Sequence, residues 1–172
     1  LQIGRIVDNQ IYPLDGLKET VRLAAGLTPD RLLDNAAQQR GLKALAIFAE
    51  RLRDFDATAV RAVATNTFRV AKNARVFLQK AEAVLGFPIE IISGREEARL
   101  IYLGVVHTLP NPTQQQLVID IGGGSTEFVF GTDQVEAARS MNIGCVRMSE
   151  RHFTGDQPDP GQIASAIEDI DE

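Results

Sequence analysis

At 172 residues and 44% apolar side chains, the chain has material for one domain or two small lobes with a real core. Its net charge of −5 speaks against generic nucleic-acid binding. The single cysteine, Cys145, excludes an internal disulfide and fits a reducing cytoplasm, and no window approaches the roughly 18–20 apolar residues of a membrane span.

In chain order, Leu1–Val7 and Ile11–Val21 read as a hairpin across Asp8, Asn9 and Gln10, with Pro13 marking an edge or a kink. Residues 26–33 form a turn-rich link. Asp34 is placed to cap a helix over 35–53, whose stripe Leu42, Leu45, Phe48/Ala49 and Leu52 reads as core. A short buried strand is expected over 57–64, then helix over 65–85 broken near Asn73, with Gly86 as its end. Strand 88–92 leads to a helix over 94–107. The polar linker 109–115 carries two prolines and makes the best domain boundary. Strands 117–121, 127–130 and 135–140 and a helix from about Gly144 follow. Alternating strands and helices make this an α/β protein.

Charge is unevenly spread. Nine Lys/Arg lie between Arg40 and Lys80 against Glu50, Asp54 and Asp56, whereas residues 150–172 hold seven acids and one Arg. A basic middle in an acidic protein suits an anion held locally, although a solvated helix face accounts for most of those charges.

The run Leu117 to Phe130 is the most informative stretch. Apolar strand residues lead to Asp120, then Gly122, Gly123, Gly124, Ser125, Thr126 and Glu127, and a second strand follows. Glycines let several amides approach one anion, and Asp120 at a strand end suits a divalent cation beside it. A plain hairpin loop is the competing reading. The dinucleotide fingerprint is excluded, since a strand follows where that motif needs a helix, and no Walker lysine is present.

Two further segments carry polar groups at strand ends. Ser93 and Glu96 have capping-box spacing. Glu97, one place on, has no such structural task and is available as a general base; a solvated first-turn glutamate is the alternative. Thr65, Asn66, Thr67 and Arg69 offer hydroxyls, an amide and a guanidinium suited to phosphate oxygens, or they simply cap a helix. Arg99 is expected to pair with Glu96 or face solvent. Cys145 reads as a small buried residue, and His107 and His152 as structural or exposed.

Together, Ala64-Thr65-Asn66-Thr67-Phe68-Arg69, Ser93-Gly94-Arg95-Glu96-Glu97-Ala98-Arg99-Leu100 and Val118-Ile119-Asp120-Ile121-Gly122-Gly123-Gly124-Ser125-Thr126-Glu127 closely resemble the exopolyphosphatase/guanosine-pentaphosphate phosphohydrolase (Ppx/GppA) family. The glycine turn alone would suit any actin-like protein; the Ser-Gly-x-Glu-Glu-Ala-Arg-Leu run narrows the match. The resemblance implies an actin-like (ribonuclease H-like) two-lobe α/β fold: residues 1–115 as a first lobe without its opening strand, residues 116–172 as the start of the second. It also implies Mg²⁺-dependent hydrolysis of a terminal phosphoanhydride, in a cytoplasmic protein that is a homodimer at full length. By matched position, Glu97 would activate water, Asp120 and Glu127 would hold the metal, and Gly122, Gly123, Gly124, Ser125, Thr65 and Arg69 would bind substrate phosphate. The family's first phosphate loop and the later part of its second lobe have no counterpart in this sequence, so the chain alone is expected to be weakly active or inactive.

The leading expectation is an exopolyphosphatase acting on inorganic polyphosphate. The alternative is a 5′-phosphohydrolase of guanosine pentaphosphate, a nucleotide of the stringent response. A guanosine-tetraphosphate sensor without turnover is disfavoured by Glu97, Asp120 and Glu127, and a kinase of the same superfamily by the family signature.

Overall fold

The computed structural model describes residues 1–8, 10–109, 114–155 and 157–171. The expected turn residue Asn9 and part of the expected linker, 110–113, lie outside them.

Strands β1 (Gln2–Val7) and β2 (Gln10–Gly16) pair antiparallel, so the hairpin forms as expected, with β2 ending at Gly16 rather than Val21. Helix α1 (Asn35–Leu52) starts where Asp34 accepts the Ala37 amide at 2.6 Å. Its deeply buried residues are Ala37, Gly41, Ala44 and Leu52, while Leu42, Leu45 and Phe48 are only half-buried. Of the expected stripe Leu52 is deeply buried, and small residues take the other innermost places. The cause is α3 (Ala74–Leu85), whose Phe77 ring lies 3.1 Å from where a Cβ on Gly41 would sit; close helix approach selects small side chains.

The expected buried strand over 57–64 shrinks to β3 (Ala62–Ala64), because Asp56 accepts the Thr58 amide and hydroxyl and winds 57–59 into a 3₁₀ turn. The helical stretch 65–85 does break near Asn73, giving α2 (Asn66–Val70) and α3. Asn73 turns its side chain to Leu33 instead, bonding both that residue's N–H (2.8 Å) and its C=O (2.9 Å). Gly86 ends α3 in the left-handed region, φ 82°, as a helix-terminating glycine should. Strand β4 (Ile89–Ile91) pairs with β3.

Helix α4 (Gly94–Val106) follows, then a three-stranded antiparallel sheet of β5 (Gln116–Ile121), β6 (Thr126–Gly131) and β7 (Val135–Met141), then α5 (Cys145–His152) and α6 (Pro160–Asp171). One sheet face packs on α4: Val129 joins Ala98, Tyr102 and Val106 in a buried cluster, flanked by Val118, Val135 and Ala138. The buried Tyr102 hydroxyl donates to the Thr132 carbonyl at 2.7 Å. Leu117, Ile119 and Ile121 alternate onto the opposite face and are exposed.

The chain divides into two compact units, one of residues 1–63 and 71–90, the other of 64–70 and 91–172. That division differs from the lobe boundary expected at 115/116, because α4 packs on the strands that follow it. No helix among the described residues is long and apolar enough to cross a membrane.

Candidate active site

All the candidate catalytic, metal and phosphate-binding residues fall in the second unit. The Ile92 amide donates to the Ala64 carbonyl at 3.0 Å, so the ends of β4 and β3 are held side by side. The chain turns helical immediately after each. Ser93 starts α4 by accepting the Glu96 amide at 3.1 Å, the expected cap, and the Glu96 carboxylate receives Arg99 through two bonds of 2.8 Å. The carbonyl of Thr65 accepts the amides of Phe68 and Arg69 and opens α2.

Because the two helix starts are neighbours, Arg69 reaches Glu97. Its guanidinium donates to the Glu97 Oε2 at 2.8 Å and to the Ile92 carbonyl at 3.0 Å, with the two side chains only 21% and 16% exposed. The expectation that Glu97 has no structural task is therefore corrected: it holds Arg69, and through it α2, against α4. A half-buried, charge-assisted pair of this kind fixes both side chains in place.

The turn between β5 and β6 is closed by the Gly122 amide donating to the Ser125 carbonyl at 2.9 Å. Its carbonyls face α5: Gly122 accepts the Cys145 amide at 2.9 Å, and Gly123 accepts those of Val146 and Arg147 at 3.0 and 3.1 Å. Among the described residues the amides of Gly123, Gly124 and Ser125 have no backbone partner. None of the three glycines has a positive φ. Their reason is space. A Cβ on Gly124 would overlap the Asn66 amide nitrogen, and one on Gly144 would stand 2.5 Å from the Gly124 nitrogen.

Asp120, Glu127 and Ser140 stand opposite one another across β5, β6 and β7 and so share a sheet face. Glu127 is 1% exposed, and its Oε1 accepts the Ser140 hydroxyl at 2.7 Å. Asp120, half-buried, is the more accessible of the two carboxylates. Gly94 lies beside this row: a Cβ there would come within 2.7 Å of the Ser140 hydroxyl oxygen and 3.7 Å of an Arg69 guanidinium nitrogen. Gly94 is thus close both to Ser140, which bonds Glu127, and to Arg69, which bonds Glu97.

Ser140 was not among the residues singled out, whereas Asn66 was named with its run. Ser140 carries no sequence signal except its place opposite Glu127, which needs the strand register. Cys145, expected to be buried, is exposed at the start of α5, because its neighbour Gly144 takes the tight position against the glycine turn. His152, 9% exposed in its side chain, bonds Asp169 at 3.0 Å and Ser165 at 3.2 Å. Arg151 joins it at 2.7 Å, and α5 is thereby tied to α6. Hydrogen bonding from His152, aided by Arg151 and Arg147, holds the Asp169 carboxyl below its ordinary value.

A sequence model described as the Ppx/GppA phosphatase family matches residues 2–172. The guanosine-5′-triphosphate,3′-diphosphate pyrophosphatase of Pseudoalteromonas atlantica is 47% identical over 169 residues, 98% of this chain and 33% of that protein. Among solved structures, an exopolyphosphatase-like protein superposes with a TM-score of 0.91 at 35% identity, covering 99% of this chain and 55% of its own. An exopolyphosphatase from Cytophaga hutchinsonii superposes with a TM-score of 0.90 at 27% identity and the same coverage. The chain thus spans about a third of the length of the curated relative and about half that of the two structures. The α/β, actin-like architecture expected from the sequence holds at this level of likeness.

Proposed function

The chain belongs to the Ppx/GppA phosphatase family, and we propose that it supplies the base, the carboxylates and one phosphate loop for hydrolysis of a terminal phosphoanhydride. The substrate we propose is guanosine-5′-triphosphate,3′-diphosphate, cleaved at its 5′ end. Support for the nucleotide over polyphosphate comes from the 47% identical relative, whose name states that substrate. The order of the two candidate substrates is thus the reverse of that expected from the motifs, which do not separate them. Inorganic polyphosphate is the second reading, favoured by the two solved structures named for it.

The observation that carries the reading is that Arg69, bonded to Glu97, and Ser140, bonded to Glu127, both come close to Gly94, while the amides of Gly123, Gly124 and Ser125 have no backbone partner among the described residues. In this scheme the amides of Gly123, Gly124 and Ser125, with the Thr65 hydroxyl, bind phosphate oxygens, as backbone donors at such concave turns do. Glu97 takes a proton from the attacking water. Arg69 holds the Glu97 carboxylate in place through one nitrogen, and its guanidinium has donors left for a phosphate oxygen.

Asp120 and Glu127 are the residues that would hold Mg²⁺. Among the described residues no three His, Cys, Asp or Glu converge, so a protein-only cage is absent. Two carboxylates in cross-strand register nevertheless fit this ion, which is commonly held by one or two carboxylates together with waters and substrate phosphates. Bound there, it would supply charge neutralisation at the phosphates. The test is phosphate release from the nucleotide and from polyphosphate in parallel. Preference for the nucleotide supports the first reading, preference for polyphosphate the second, and release from neither a binding module without turnover.

A further inference from the structure

Glu127 has a problem that its neighbours must solve. A carboxylate this deeply buried needs donors, since an unpaired buried charge is strongly unfavourable. The Ser140 hydroxyl donates to one of its oxygens, Oε1, at 2.7 Å. Ser140 is opposite Glu127 in the β6–β7 register, as Asp120 is in the β5–β6 register. The hydroxyl thus acts on the carboxylate from the side away from Asp120. It meets one oxygen of the carboxylate, from the strand opposite to the one that carries Asp120.

Gly94 completes the arrangement. Its φ is not in the left-handed region, so conformational freedom does not explain a glycine at the first position of α4. Space does: a Cβ would press on both the Ser140 hydroxyl oxygen (2.7 Å) and its Cβ (2.8 Å), distances that real Cβ atoms do not tolerate. The glycine lets the helix that carries Glu97 close onto the strand that carries Ser140.

We infer that Ser140 is a positioning residue, whose hydroxyl sets the Glu127 carboxylate for a divalent cation shared with Asp120, and that Gly94 is a glycine to admit it. This rests on the assignment of Asp120 and Glu127 to the cation. It adds a residue from a third strand and a steric requirement from α4. Outer-shell partners of this kind orient ligating carboxylates, and their loss commonly costs about 10–100-fold in metal affinity.

The test is titration of Mn²⁺ alone into the protein, read by the electron paramagnetic resonance of free ion, with metal-free melting curves for each variant. Ser140→Ala is expected to raise the Mn²⁺ Kd about tenfold or more. Ser140→Thr, which keeps the hydroxyl, should stay within about threefold of wild type, and Gly94→Ala should weaken binding in the same direction as Ser140→Ala. Asp120→Asn is the control for the underlying assignment. Should Asp120→Asn weaken binding while Ser140→Ala does not, Ser140 has no such role and the cation assignment stands. A lower melting temperature in Ser140→Ala with an unchanged Kd would mark the bond as merely structural and overturn the inference. Should neither substitution alter Kd, the cation assignment fails and takes the inference with it.

Discussion

Glu97 carries the proton in the proposed reaction, and Arg69 keeps it in place. Replacing Glu97 by Gln preserves shape and removes the base, so kcat should fall by at least about 100-fold, the usual range for a general base. Far-UV circular dichroism should be unchanged; a kcat within a fewfold of wild type would remove Glu97 from this role. Gly144 makes a second point at this scale. Its Cβ would meet the backbone of Gly123 and Gly124 at 2.5–2.6 Å, so Gly144→Ala should destabilise by on the order of 1–3 kcal/mol, as overpacking does. Denaturant melting checks this, and an unaltered midpoint would mean the turn yields freely. The motif's carboxylates were legible as residue types on their own. The partner of Glu97 was not, because Arg69 is 28 residues away and is brought in only by β3–β4 pairing. Ser140 was illegible for a similar reason: nothing marks it until register sets it opposite Glu127.

The elements show the same contrast between local and distant causes. Asp34, Ser93 and Gly86 delimit helices through bonds to their own neighbours, so the bounds of α1, the start of α4 and the end of α3 could be read directly. The break at Asn73 was also foreseen. Its cause was not, since Asn73 is held by Leu33, 40 residues away. The buried face of α1 was read correctly at Leu52 but not at Ala37, Gly41 and Ala44, which are innermost because α3 approaches closely there. Removal of the Ser93 cap, as Ser93→Ala, should cost about 1 kcal/mol by denaturant melting.

The α5–α6 pair gives a pH prediction. The Asp169 carboxyl is held below its ordinary value of 3.8, chiefly by the His152 hydrogen bond. A depressed carboxyl stabilises the fold above its unfolded value, and that contribution is lost as pH falls through the folded value. The contact should therefore be intact at neutral pH and weaken in acid below about pH 4. In Asp169→Asn this acid-dependent part should vanish, flattening the loss of melting temperature between about pH 5 and 3. An Asp169→Asn protein whose acid profile matches wild type would show that the contact carries no such linkage.

For the whole molecule, the site is a property of the second unit, which recruits residues 64–70 from earlier in the chain. That recruitment brings the three separate motifs into one unit, and it explains why a boundary drawn at a proline-bearing linker differs from the division by contacts. Family membership was legible because the Ser93–Leu100 and Val118–Glu127 runs are specific; the choice of substrate was not, because the roles proposed for those runs concern phosphate, water and metal, which both candidate substrates share. The most direct test of the central claim compares wild type and Glu97→Gln, in the protein's natural full length, for phosphate release from guanosine pentaphosphate with Mg²⁺. The account predicts release of the 5′-terminal phosphate by the wild type, lowered at least about 100-fold in the variant. Equal release by both proteins, or none from either, would contradict it.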